Sequence, residues 1–321
     1  GKTYSMVSRV AFLCNKKKHN IVSIEDELAM VTFTNDAAIN MKVRLKQMFV
    51  NYYILTSNEY YLQYVESIDR ANISTIHKFA LQLLRGASCY TGLGTNFHVS
   101  VDEYNRDKIY DIYLSNFLKN KEEENPSFIS EIPVPVYDLK KKIMGLSDQL
   151  LQKSINLENI KPEEMGVTKD NTMPYFNELL QQVVFPAEIE YLEMMNARNL
   201  IDLKESIICL NKILDFEVEN IKNLKLRYLF VDEFQDADEV QIEVFQKLQK
   251  TIAYNCRLFV VGDLKQSIYR FRGARLSAFD QVKTCQKYEW ESHCLTINYR
   301  TDARLLNIYN DIFQKMGDSG Y

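Results

Sequence analysis

Leu229-Phe230-Val231-Asp232-Glu233-Phe234-Gln235-Asp236 is the stretch on which the fold turns. The run from Leu226 to Val231 is β-rich and largely apolar, without the polar alternation of a half-exposed strand. Such a run suits a strand buried on both faces, as in a parallel sheet with helices on each side. It ends abruptly in two adjacent carboxylates. A solvated acidic turn explains the carboxylates but not the apolar strand leading directly into them. In open α/β sheets, ligands bind at the C-terminal ends of the strands.

The same signature recurs outward from this point. Leu258 to Val261 is a second apolar run, ending at Gly262-Asp263. Leu295 to Ile297 reads as a weaker third strand. Upstream, Leu28 to Phe33 is a short apolar run followed by a helix-like stretch from Asp36 to Phe49. Between the flanks the pattern changes. All six prolines, Pro126, Pro133, Pro135, Pro162, Pro174 and Pro186, fall in the middle of the chain. Proline interrupts regular helices and central strands, so this region is expected to be an insertion, and it reads as mainly helical. The fold class is therefore α/β: a parallel sheet flanked by helices, with a helical inserted subdomain.

The chain opens with Gly1-Lys2-Thr3 and a helix-like stretch from Tyr4 to Cys14. This is the tail of the phosphate-loop pattern G-x-x-x-x-G-K-S/T, in which lysine reaches the β/γ phosphates and the hydroxyl binds magnesium. Three residues alone also fit a loop tail before a helix. Paired with an apolar strand that delivers Asp232 and Glu233, they point to a magnesium–nucleotide site. An aspartate there holds the metal, and the adjacent glutamate positions and deprotonates the attacking water.

Composition sets the outer bounds. The chain has 321 residues, 46% hydrophobic and 26% charged, enough for a buried core. No apolar run is long enough to span a membrane, and no secretory signal opens the chain, so a cytoplasmic location is expected. The net charge of −4 excludes a surface that is basic throughout, but not a local basic channel. Six cysteines and four histidines are scattered without metal-ligand spacing. Lys16 to Lys18, Lys140 to Lys142 and Glu122 to Glu124 are charge runs that read first as solvated surface.

The most specific segment is Val261-Gly262-Asp263-Leu264-Lys265-Gln266-Ser267-Ile268-Tyr269-Arg270-Phe271-Arg272-Gly273-Ala274. Together with Asp232 to Asp236, it resembles motifs III and II of superfamily 1 DNA helicases of the UvrD/RecB type. Lys265 before Gln266 leans toward the RecB/AddA branch. Val31 to Ala38 resembles motif Ia, Ser74 to Phe79 the T-x-H-x-F segment, and Leu295 to Thr301 motif IV. The resemblance touches roughly 1–105 and 200–305.

This resemblance implies a P-loop NTPase (RecA-like) motor. Its first part would be 1–105, a helical inserted subdomain 106–199, its second part 200–300, and the start of a second motor domain 301–321. It implies ATP and Mg²⁺ as cofactors and single-stranded DNA or a single/double-strand junction as partner. A further partner would be a nuclease domain or the other half of a helicase–nuclease. Gly1, Lys2, Thr3, Asp232 and Tyr299 would bind nucleotide, Thr3 and Asp232 through the metal and Tyr299 by stacking on adenine. Glu233 would be the general base, Gln266 the γ-phosphate sensor, and Arg300 would neutralise the transferring phosphoryl group. Thr32, Phe33, Asn35, Thr75, His77, Tyr269, Phe271 and Arg272 would line the DNA channel. Motors that ignore sequence grip a strand by phosphate charge and by stacking on bases. Core packing is the alternative for Phe33, Phe79 and Tyr269, and a capping or packed role for His77.

There are departures. Asp36 replaces the usual lysine of motif Ia and Asn40 a common glutamate, while Ala237-Asp238 replaces Thr-Asn or Thr-Ser. The glycine-rich half of the phosphate loop and motifs V and VI are not in the 321 residues. The isolated chain is therefore expected to hydrolyse ATP weakly, below about 1 s⁻¹. The competing class is a divergent DNA- or partner-binding module without turnover. An unrelated phosphate-loop ATPase does not account for the 266–274 string.

Overall fold

The computed structural model describes residues 1–14, 23–152, 160, 175–253, 255–267, 278–283 and 289–318. The chain begins with α1 (Lys2–Leu13), α2 (Ile24–Glu27) and β1 (Leu28–Thr32). Next come α3 (Asn35–Thr56), α4 (Tyr60–Ser67), β2 (Asn72–Thr75), α5 (Ile76–Gly86) and β3 (His98–Val99). The middle holds α6 (Glu103–Glu124), α7 (Phe128–Glu131), α8 (Val136–Gln152), α9 (Phe176–Leu179) and α10 (Phe185–Ala197). The remainder runs β4 (Leu200–Ile201), α11 (Leu203–Ile213), α12 (Glu219–Lys222), β5 (Tyr228–Val231), α13 (Glu239–Thr251), β6 (Arg257–Val260), α14 (Ala278–Lys283) and α15 (Ala303–Asp318).

Four strands form one parallel sheet in the order β2-β1-β5-β6. All residues of β1 and β5 are buried, as their unbroken apolar runs require. Because side chains alternate across a strand, the two faces receive different residues. Leu28, Met30, Tyr228 and Phe230 pack under α1, α3 and α4. Ala29, Val31, Leu229 and Val231 pack under α5, α11, α13 and α14. Burying a Leu, Met or Phe side chain contributes about 1.5–3 kcal/mol, so these two layers fix the sheet between them.

Helix starts follow local chemistry. Thr34, Thr75, Asp202 and Asp238 cap α3, α5, α11 and α13 by accepting backbone N–H groups, and Asp238 forms a full capping box with Gln241.

A third core belongs to the helical middle, where Tyr110, Phe117, Leu139, Val183, Val184 and Tyr191 pack together. Pro186 lies where the helix passes from a π turn at Leu180–Val184 into α10, a place where the regular i to i−4 ladder is already interrupted. This layer meets the sheet unit through the short parallel pair β3 and β4 and through the Lys204–Asp148 ion pair, 2.9 Å.

Two surface expectations change. Lys140 is buried and ion-paired to Asp107 and Asp111, both at 2.8 Å, so it is not part of a solvated basic run. The weak strand expected at Leu295 to Ile297 is not formed. Residues 291–298 have no regular structure, with Leu295 58% and Ile297 65% exposed. A strand needs a hydrogen-bonded neighbour, and neither described sheet includes this segment. Lys16 to Lys18 lie outside the described residues.

Candidate nucleotide site at the strand tips

Parallel pairing puts the C-terminal ends of β1, β2, β5 and β6 along one edge of the sheet. Asp232 follows β5, its N–H bonded to the Val31 carbonyl at 2.9 Å. The carboxyl of Asp232 is buried. Burial raises its pKa and the neighbouring Glu233 raises it further, while the Glu233 N–H, Lys2 and the Thr3 hydroxyl act in the opposite direction. The Thr3 hydroxyl thus lies close enough to act on the Asp232 carboxyl although the two residues are far apart in the chain.

Glu233 adopts the left-handed conformation, φ 50° and ψ 40°. For a residue with a side chain this costs about 1–2 kcal/mol, and such strain persists only where the surroundings enforce it. Here the Glu233 N–H bonds to Asp232 Oδ1 at 3.0 Å, and the Phe234 N–H to the Val261 carbonyl at 2.9 Å. The tight turn aims the Glu233 carboxylate at the start of α1.

Lys2 opens α1 behind Gly1, with no side chain capping the helix and no acid in its first turn. Free N–H groups at a helix start suit a phosphate. Lys2 Nζ donates to Glu233 Oε2 and to Gln266 Oε1, the latter at 3.2 Å. Gln266 Nε2 in turn donates to Asp263 Oδ2 at 2.9 Å.

Gln235, to which the motif chemistry gives no role, lies between these groups. Its amide donates to Glu233 Oε2 at 2.9 Å and accepts the Asp263 N–H at 2.8 Å. The only signal of this in the sequence is its position two residues after the glutamate, inside the turn.

The DNA-channel candidates that are described share this edge. Thr32 and Thr75 are register partners at the ends of β1 and β2. Thr32 is buried, Phe33 packs partly on the core, Asn35 is exposed, and Thr75 caps α5. His77 is half-buried beside Asp202; burial lowers its pKa and Asp202 opposes that. Phe79 is a core residue. Tyr269, Phe271 and Arg272 lie outside the described residues. Tyr299 and Arg300 are not brought to Lys2. Tyr299 is 83% exposed, and the Arg300 N–H bonds to the Asn298 side chain at 2.8 Å.

Residues 1–287 match the UvrD/REP helicase N-terminal domain family. The chain belongs to that family. The match covers the sheet unit, the helical middle and the strand-tip cluster together. Among curated relatives, the chain is 26% identical over 315 residues to a probable DNA helicase II homolog of Mycoplasma pneumoniae, covering 97% of this chain and 38% of that protein. It is also 26% identical over 326 residues to the ATP-dependent DNA helicase Rep of Buchnera aphidicola, covering 97% and 41%. An ATP-dependent helicase/nuclease of Alkaliphilus oremlandii is 30% identical over 210 residues in one of its subunits, covering 62% of this chain and 16% of the relative. The chain therefore spans less than half the length of these UvrD-like relatives.

The donor set suits magnesium. Thr3 and Asp232 offer oxygen alone, and Mg²⁺ takes one or two protein oxygens while keeping several waters. Among the described residues no cluster of three His, Cys, Asp or Glu offers a fuller cage.

Proposed function

We propose that this chain is the nucleotide-binding part of an ATP-driven DNA motor, a 3′-to-5′ single-strand translocase and helicase acting in repair or recombination. The observation that carries the reading is the convergence of Lys2, Glu233 and Gln266. Glu233 and Gln266 lie 231 and 264 residues from Lys2 in sequence, yet both meet its one ammonium group. Residues 1–105 and 200–300 form the motor domain, 106–199 the inserted subdomain, and 301–321 the start of a second motor domain. The setting is cytoplasmic, with single-stranded DNA or a junction as substrate. A nuclease, on the same chain or a separate one, is a further partner, a reading favoured by the helicase/nuclease relative. No described helix is long and apolar enough to cross a membrane.

In this mechanism Lys2 exchanges its bond with Glu233 for the β/γ phosphates of ATP. Thr3 and Asp232 hold Mg²⁺, which when bound neutralises phosphate charge. The freed Glu233 carboxylate accepts a proton from the attacking water. Gln266, released from Lys2 by the same exchange, contacts the γ-phosphate. Gly1 lies beside the phosphates, Tyr299 stacks on adenine, and Arg300 neutralises the transferring group. Thr32, Phe33, Asn35, Thr75, His77, Tyr269, Phe271 and Arg272 grip the DNA strand.

The test is ATP hydrolysis by the full-length protein with and without single-stranded DNA. Stimulation by DNA that Glu233→Gln abolishes is expected. Hydrolysis absent from the wild type, with DNA binding retained, would instead identify a binding module without turnover.

A further inference from the structure

We infer that Gln235 is a positioning residue that ties the general base to the turn carrying the γ-phosphate sensor. This rests on the nucleotide-site reading proposed above. Five side chains and one backbone group close a ring. Lys2 Nζ donates to Gln266 Oε1 (3.2 Å), Gln266 Nε2 to Asp263 Oδ2 (2.9 Å), the Asp263 N–H to Gln235 Oε1 (2.8 Å), Gln235 Nε2 to Glu233 Oε2 (2.9 Å), and Lys2 Nζ back to Glu233 Oε2. Gln235 is 2% exposed, so its amide reaches these partners away from bulk water. Its Nε2 lies farther from Asp236 Oδ2, at 3.4 Å, and its own carbonyl accepts the Ser267 hydroxyl at 3.2 Å.

Only a side chain with a donor and an acceptor at this reach can serve both sides. When Lys2 turns to a phosphate, Glu233 loses that partner, and Gln235 remains to hold the carboxylate on its strained backbone. At the same time Gln235 pins the Asp263 amide, and Asp263 holds Gln266. A shift of the 263–266 turn is thereby felt at Glu233. Gly262 is what lets the amide pass between the turns. A Cβ there would collide with Gln235 Oε1, and would lie 2.8 Å from Phe279 Cζ and 3.1 Å from the Gln235 backbone nitrogen.

Two variants separate the two links. Gln235→Ala loses both, whereas Gln235→Glu keeps the acceptor for the Asp263 N–H and loses the donor to Glu233. In the full-length protein, kcat for DNA-stimulated hydrolysis is expected to fall about 10- to 100-fold in both, the scale of a misplaced catalytic group, with KM for ATP within about twofold. Hydrogen exchange at the Asp263 amide, followed without nucleotide, is expected to quicken about 3- to 10-fold in Gln235→Ala, the worth of one hydrogen bond, and to stay slow in Gln235→Glu. Wild-type kcat in either variant, a rise in KM with kcat retained, or unchanged exchange in Gln235→Ala overturns the inference. If the wild type itself does not hydrolyse ATP, the functional reading falls and the catalytic half of this inference with it. The exchange data still decide whether the bridge exists.

Discussion

Charged groups at the strand tips and in the helical middle are held in opposite ways. Lys2 and Glu233 form an ion pair still partly open to solvent, with 21% and 37% of their side-chain surfaces exposed. In the helical middle, Glu188 Oε2 is buried and accepts from four donors: Arg106 Nε at 3.1 Å, Arg106 Nη2 at 2.9 Å, Tyr110 at 2.8 Å and Ser147 at 3.1 Å. Arg106 is shared with Asp148 at 2.9 Å, and Asp148 with Lys204. The first arrangement can exchange partners for a ligand. In the second, Glu188 and Arg106 are closed off from solvent and behave as framework, because removing either leaves the other's charge unpaired in the interior. Ion pairing alone therefore does not mark a site; the two clusters differ in how far solvent reaches the paired charges.

The sharpest way to break this contrast is to remove one acid from each region. Glu233→Gln is expected to lower DNA-stimulated kcat by about 10²–10⁴-fold, the usual worth of a general base, with thermal stability nearly unchanged. Glu188→Ala should do the reverse, destabilising by about 3–5 kcal/mol in chemical denaturation through the orphaned Arg106, while nucleotide affinity stays at the wild-type value.

A subtler probe is Glu205 on α11, between the two regions. Burial raises its pKa from 4.5 to about 7, with Glu188 and Asp202 adding to the rise and Lys212 opposing it. A carboxyl raised on folding binds its proton more tightly when native, so stability is present at low pH and lost as pH climbs from about 4.5 through about 7. Glu205→Gln should therefore stabilise the protein at pH 8 by on the order of 1–3 kcal/mol and have little effect at about pH 4, as read by urea midpoints.

The smallest effect concerns Asp36. It lies in the first turn of α3, where a negative charge suits the helix dipole. Asp36→Lys is expected to lose about 0.3–1 kcal/mol of stability while tightening single-strand binding at low salt.

Much of the sheet unit was legible in the sequence. Apolar runs ending in Asp232 and Asp263 have no other economical reading, and the helical character of the middle was visible once its prolines were set apart. What failed was anything decided by distant partners. The two-residue strands β3 and β4 exist only because 98–99 and 200–201 pair across the helical middle. Lys140 looked like surface because its acids sit on another helix. Leu295 to Ile297 looked like a strand because apolar residues carry no record of whether a neighbour is present. At the site, the residue types of Lys2, Thr3, Asp232, Glu233 and Gln266 were readable from motif chemistry. The left-handed backbone of Glu233 and the bridge through Gln235 were not, since both depend on how one turn meets another.

On the proposed function, the start of α1 and the tips of β5 and β6 make one triphosphate pocket. Titration of the full-length protein with Mg²⁺ and a non-hydrolysable ATP analogue tests it most directly. Lys2→Ala should weaken binding by about 10- to 100-fold, the worth of a charge-assisted phosphate contact, with Glu188→Ala as the unaffected control. Equal affinity in the wild type and Lys2→Ala would mean that the nucleotide does not bind where these strands end.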